Sequence, residues 1–261
     1  MLLLGMGTAL MAGCRAVPEQ PLSAAAFGDD TDAVRRLLDE GLAPDDLDDH
    51  GLTPLMWAAR AGATGAMRLL LDAGASANGR DTNNRWTPLL HAVHKQRPDA
   101  VRVLLERGAD PNLAAPNGVT PLLLAADDLD PTAVRLLLEH GADPHTEGPG
   151  GATALTRAVS GGALTDLTDR PLFGGCRPDT VRALLAHDPS LRVPDTGAGR
   201  RALWWANIRD CAEVLNLVGA AHHSVGHEIV SASGALREEL GLRIRKDAPG
   251  GTRATDDPSR R

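Results

Sequence analysis

Apolar residues in this chain recur at helical spacing in short runs, and the runs come in pairs. Asn117 to Pro144 shows the unit most plainly. Thr120-Pro121 predicts a helix start, because a hydroxyl satisfies free amides and proline is tolerated at the first helical position. Leu122, Ala125 and Ala126 then give that helix one apolar face of small residues. Asp130-Pro131 opens a second helix the same way, with Val134, Leu137 and Leu138 as its buried stripe. Gly141 stands where a left-handed residue ends a helix, and Ala142-Asp143-Pro144 turns the chain out of the pair.

The unit repeats. Pro21-Leu22, Pro54-Leu55, Pro88-Leu89 and Pro121-Leu122 are separated by 33, 34 and 33 residues, and Ala154-Leu155 follows after another 33. The order T-P-L, A-A, L-L, G-A at this period resembles the ankyrin repeat. The resemblance spans about residues 21–219 and implies an all-α solenoid of about six helix-turn-helix repeats with short hairpin turns. The family's histidine two residues after the proline is replaced by Ser23, Met56, Leu90, Leu123, Thr156 and Trp204, and His91 comes one residue late. A polar network between repeats that depends on this histidine is therefore not expected, and apolar contacts are expected to carry more of the stacking.

The repeats are not uniform. Asp29, Asp30 and Asp32 crowd the start of the second helix in repeat one, where the helix dipole favours negative charge. Repeat three carries Arg85 at the turn glycine. Repeat five is interrupted at about residues 163–176, so that Val181, Leu184 and Leu185 arrive late for the period. Repeat six has Trp204-Trp205 in its first helix and a short second helix ending near Val218, as a C-terminal cap would. Beyond it, residues 220–261 read as a tail. Leu236, Leu240 and Ile244 share a helical face there, and the polar stretch Asp247 to Arg261 is expected to be disordered.

Composition agrees with thin stacked pairs. The chain has 261 residues, 43% hydrophobic, with no tyrosine and two phenylalanines, so its core is leucine, alanine and valine. A net charge of -7 argues against nonspecific nucleic-acid binding. The segment 1–13 is short and apolar and reads as a secretory signal rather than a membrane span. Met11-Ala12-Gly13-Cys14 resembles the lipobox of bacterial lipoproteins, in which the cysteine is acylated and becomes the new N-terminus. Residues 14–20 are then a tether. By the same resemblance, Arg15 after the cysteine favours the outer membrane.

Catalytic signatures are missing: there is no G-x-S-x-G, H-E-x-x-H, phosphate loop or C-x-x-C. His223 and His227 lie four apart beside His222 and Glu228, and His91 and His94 lie three apart, but neither pair has a third fixed metal ligand. No cofactor or metal is expected, and no enzymatic activity. If Cys14 is acylated, Cys176 and Cys211 remain as a pair suited to an oxidising compartment. Each precedes the second helix of its own repeat. Stacked helices lie about 8–10 Å apart, beyond the ~4.4–6.8 Å Cα separation of a disulfide, so the repeat-five loop has to close the gap.

The expected function is a monomeric protein-binding module, lipid-anchored and facing the periplasm, that inhibits or stabilises another protein. The alternative is a cytosolic ankyrin-repeat regulator or scaffold without export. The family resemblance implies contact through the hairpin tips, here Asp49, His50, Asn83, Asn84, Trp86, Asn117 and Arg200. It also implies the exposed side of the first helices, here Arg60, His94, Lys95, Asp127, Asp128 and Arg209. Trp86 stands out, because neighbouring repeats carry Leu52 and Val119 in its place. An aromatic at an outward turn suits an interface anchor; the alternative is that Trp86 folds back onto the adjacent hairpin.

Overall fold

The computed structural model describes residues 18–161 and 176–220, all within one compact unit, residues 1–223. The signal-like segment with Cys14, most of the predicted insertion, and the tail with its histidines lie outside the described residues. Twelve α-helices and a 3-10 turn at Pro149–Gly151 are present among the described residues, with no strand. They form six pairs: α1 (Pro21–Phe27) with α2 (Thr31–Asp39), α3 (Pro54–Ala61) with α4 (Thr64–Asp72), and α5 (Pro88–His94) with α6 (Pro98–Glu106). Then come α7 (Pro121–Asp127) with α8 (Pro131–Glu139), α9 (Ala154–Ser160) with α10 (Pro178–His187), and α11 (Gly197–Ile208) with α12 (Ala212–Leu217). Each first helix packs on the next first helix, and each second helix on the next second helix, giving two rows.

The helix starts follow from the threonines. Side chains of Thr53, Thr87, Thr120 and Thr153 accept from the backbone N–H three residues on, at 3.2–3.3 Å. Such a cap contributes about 1 kcal/mol. The second helices end before Gly41, Gly74, Gly108 and Gly141, whose φ values of +84° to +93° are strained for any other residue. Repeat six departs from the pattern. Thr196 caps α11 through the Gly199 N–H, so the helix begins early and runs for 12 residues. Arg200, expected at a hairpin tip, therefore sits in the first turn of α11, paired with Asp195 at 2.8 Å.

Two leucine columns form the core. Leu55, Leu89, Leu122 and Leu155 occupy one register on the first helices, and Leu70, Leu104, Leu137 and Leu184 line the second. All eight are almost fully buried. Alanines such as Ala58, Ala92, Ala125 and Ala158 let the first helices approach closely. The recurring period thus places identical shapes against each other along both rows.

Beside these apolar contacts the repeats are joined by polar bonds that do not involve the family's histidine position. Asp45, Asn78, Asn112 and His145 stand at equivalent places in successive repeats, and each reaches into the next one. Asp45 accepts from the Ser76 N–H at 3.0 Å. Asn78 donates to the Gly108 carbonyl and accepts from the Asp110 N–H, and Asn112 does the same with Gly141 and Asp143. His145 continues the ladder to Asp188 at 2.9 Å.

Leu137→Ala is expected to destabilise the protein by roughly 2–5 kcal/mol, as a buried leucine truncation. Repeats three to five should loosen together, because each depends on its neighbours. Thermal melting with hydrogen exchange checks this. A midpoint unchanged within error would show that Leu137 is not core.

Candidate functional site

The side chains at the third, sixth and seventh positions after each repeat's proline form a stripe along the first-helix row. In three places the sixth residue of one repeat meets the third residue of the next. Phe27 sets its ring edge-on to Trp57 at 5.7 Å. Arg60 Nη1 lies 3.5 Å from His91 Nδ1. Asp127 Oδ1 lies 3.6 Å from Arg157 Nη1. Contacts of three different chemistries thus occupy equivalent places.

The third position is also held from the hairpin. Asp48 accepts from the backbone N–H of His50 and Leu52, and from the Trp57 indole N–H at 2.6 Å. Asp81 accepts from the N–H of Asn83 and Asn84, and from His91 Nε2 at 2.9 Å. Where a carboxylate opens the hairpin, a ring N–H stands at the third position to meet it. In repeats four and five Ala115 and Gly148 open the hairpin instead, and the third positions hold Leu124 and Arg157. Gly148 leaves room for the Leu123 side chain, whose Cδ1 a Cβ there would meet at 2.5 Å.

His91 is nearly fully buried, and its hydrogens are fixed by its neighbours. Asp81 accepts only, so Nε2 carries the hydrogen and Nδ1 presents a lone pair toward Arg60. Burial pushes the His91 imidazole below its ordinary value of 6.5, the Asp81 bond opposes this, and the charges of Arg60 and Lys95 add to the lowering. For Asp81, burial is outweighed by the bonds from His91, Asn84 and Trp86, which hold it below the usual carboxylate range. Burial likewise lowers the Arg60 guanidinium, against the attraction of Asp81.

The residues expected to meet a partner fall into three groups. His50, Asn83 and Asn84 come together at adjacent tips with Asp49, where Asn83 Nδ2 donates to the His50 carbonyl at 2.7 Å. Asn117 is exposed one tip further on and holds its own turn through the Val119 N–H. Arg60, His94, Lys95 and Asp128 lie along the first-helix stripe, with Lys95 exposed and the others half-buried. Trp86 turns back rather than outward: it is half-buried against the core, with ring centroids 5.5 Å from His91 and 5.3 Å from His94. Two imidazole rings pack against the large ring, so the side chain has a packing role while part of it stays exposed.

Two expectations are corrected. Asp127 is buried at 4% exposure, not part of an open charged face, because Arg157 of the next helix lies against it. Arg209 is the residue that closes α11, and its guanidinium turns to the carbonyls of Ser160 and Gly161 at 2.7 and 3.1 Å. It completes the C-terminal end of α9, where carbonyls lack helical partners, and it stacks over Trp205 at 5.2 Å. Sequence reading missed Trp57, Phe27 and Asp48. The signal available was an aspartate opening a hairpin with a ring N–H nine or ten positions later.

Family comparison gives this arrangement its context. A family model described as ankyrin repeats (3 copies) matches residues 22–115, and one described as ankyrin repeat matches residues 117–148. The chain is an ankyrin-repeat protein. A comparison with curated proteins finds no match. Ankyrin repeats are protein–protein interaction modules and generally non-catalytic, so the repeats of this ankyrin-repeat protein imply a protein partner. The matched residues cover repeats one to four, and the helix pairs of repeats five and six continue the same two rows.

The lowered His91 value fixes the sign of a pH effect. Below about pH 6.5 the unfolded chain takes up a proton that folded His91 refuses, so stability falls until the folded imidazole also titrates. Above pH 6.5 this residue adds no pH dependence. His91→Gln keeps an N–H for Asp81 and an oxygen for Arg60 without titrating. Denaturant melts at pH values from about one unit above to about one unit below that point are expected to show a shallower loss in the variant. Equal slopes would mean that His91 does not govern this window.

Proposed function

We propose that this ankyrin-repeat protein is a lipid-anchored envelope protein, acylated at Cys14 and facing the periplasm. It acts as a monomer that binds another protein through its hairpin tips and first-helix stripe, and so inhibits or stabilises that protein. Export is supported by the apolar N-terminal run and its Met11-Ala12-Gly13-Cys14 sequence. The single observation that carries the reading is the disulfide Cys176–Cys211, since such bonds persist in oxidising compartments. Its Cα atoms are 5.5 Å apart. The helix spacing does not stand in the way, because Cys176 lies in the turn before α10 and Cys211 is the residue capping α12. The bond pins repeat six, the least regular of the six, to repeat five.

Binding is supported by chemical variety along one surface. The tips offer amides and carboxylates, the stripe offers Arg60 and Lys95, and the exposed part of Trp86 lies between them. Trp and Arg are enriched among residues that dominate interface energies. Among the described residues, no helix is long and apolar enough to cross a membrane.

Growth with labelled palmitate, followed by fractionation and intact mass, tests the reading. Label in the membrane fraction, lost in Cys14→Ser, is expected, with a mature mass beginning at Cys14. An unlabelled soluble protein that retains Met1 would contradict it and favour the cytosolic regulator. The same material, denatured without reductant, should show no free thiol at Cys176 or Cys211. Closing this loop, a sequence separation of 35, is expected to contribute about 3–4 kcal/mol to stability in the chain-entropy treatment.

A further inference from the structure

The negative charge of the protein is concentrated at one end. Between Glu19 and Asp49 stand ten acidic residues against Arg35 and Arg36, a balance of -8, whereas the whole chain carries -7. The remainder is therefore positive by one. A terminal repeat is expected to be polar outside, and charge alone would serve that purpose. Exposed apolar side chains would not. Yet two of the three exposed large hydrophobic residues among those described, Phe27 at 37% and Leu47 at 45%, lie in this acidic stretch.

One couple, Trp57 with Asp48, connects to both: to Phe27 by a ring contact and to Leu47 along the chain. Phe27 leans edge-on against Trp57, and the Trp57 indole is fixed by the buried Asp48 carboxylate at 2.6 Å. Leu47 immediately precedes Asp48, and its carbonyl accepts from Gln20 Nε2 at 3.3 Å. Asp46 and Asp49 flank Leu47, Asp29 and Asp30 follow Phe27, and all four are exposed. Arg60 lies over the Trp57 ring at 5.2 Å. Exposed apolar side chains on repeats one and two, each with exposed carboxylates close by in the chain, complement a segment that is apolar on one side and cationic on the other.

We propose that the corner formed by repeats one and two docks a cationic amphipathic segment of the partner protein. An aliphatic or aromatic residue of that segment covers Phe27 and Leu47, and its lysines or arginines meet these carboxylates. The proposal rests on the reading of this chain as a protein-binding module and does not depend on export.

A labelled helical Leu/Lys peptide of about four turns is the probe, titrated into the full chain at physiological salt by fluorescence anisotropy. Gln/Lys and Leu/Glu peptides of equal length are the controls. The Leu/Lys peptide is expected to bind at least about tenfold more tightly than either control. The double variant Phe27→Ala with Leu47→Ala should lose about tenfold. Asp46→Asn with Asp49→Asn should weaken binding and flatten its salt dependence. The second pair alters only exposed carboxylates, so it remains decisive if the first fails to fold. Equal binding of the Gln/Lys peptide, indifference to both double variants, or concentration-dependent self-association that occupies the corner would each overturn the proposal. Capture from whole-cell extract, envelope included, separates this failure from a wider one. A protein retained by wild type and both variants alike would leave the binding module standing without this corner, whereas the absence of any retained protein would count against the module itself.

Discussion

A single helix pair of this chain cannot bury its own apolar stripe, and everything else follows from the way each pair uses the next. Leu122 and Leu137 are shielded by neighbours that carry leucine at the same register. The stack is therefore specified by repetition of shape at a fixed period, not by one central core. Along the first-helix row, the sixth residue of one repeat engages the third residue of the next in three places. That contact is aromatic in Phe27–Trp57, imidazole to guanidinium in Arg60–His91, and carboxylate to guanidinium in Asp127–Arg157. Apolar burial sets the distance between repeats, and these contacts with the Asp45, Asn78, Asn112 and His145 ladder set their alignment.

The same stripe serves two demands, and they divide along it. Toward repeats one to three, Phe27, Arg60 and Lys95 keep exposed surface. Toward repeats four and five, Asp127 and Arg157 are withdrawn from solvent. At repeat six, Arg209 commits its guanidinium to the end of α9. Polar groups at equivalent positions thus range from recognition surface to internal fastening, so a position in the repeat does not by itself give a role. Burying a charge is tolerable only beside a compensating partner, and the choice of residue one repeat later supplies that partner.

Much of this was legible in the sequence. Thr-Pro starts, leucine columns and helix-ending glycines have local causes, and Thr120, Leu137 and Gly141 do what their neighbours along the chain dictate. The misplaced residues were mostly those whose role depends on a partner that the fold brings against them. Asp127 looks like an open carboxylate until Arg157 of the next repeat is set beside it, and for Trp86 the choice between an outward anchor and a ring folded back is open until His91 and His94 are set against it. Arg200 was misread for a local reason, because Thr196 started α11 earlier than the repeat period suggested. The polar ladder was visible as a period of small polar residues, but its meaning required knowing that those residues face the next hairpin.

A double-mutant cycle on Asp127 and Arg157 tests the central claim most directly, using Asp127→Asn, Arg157→Gln and the combination. Neighbouring repeats coupled through the stripe should show an interaction energy of roughly 1–3 kcal/mol, with each single change more damaging than its share of the pair. Additivity within about 0.5 kcal/mol would contradict the account and leave apolar burial as the sole coupling between these repeats.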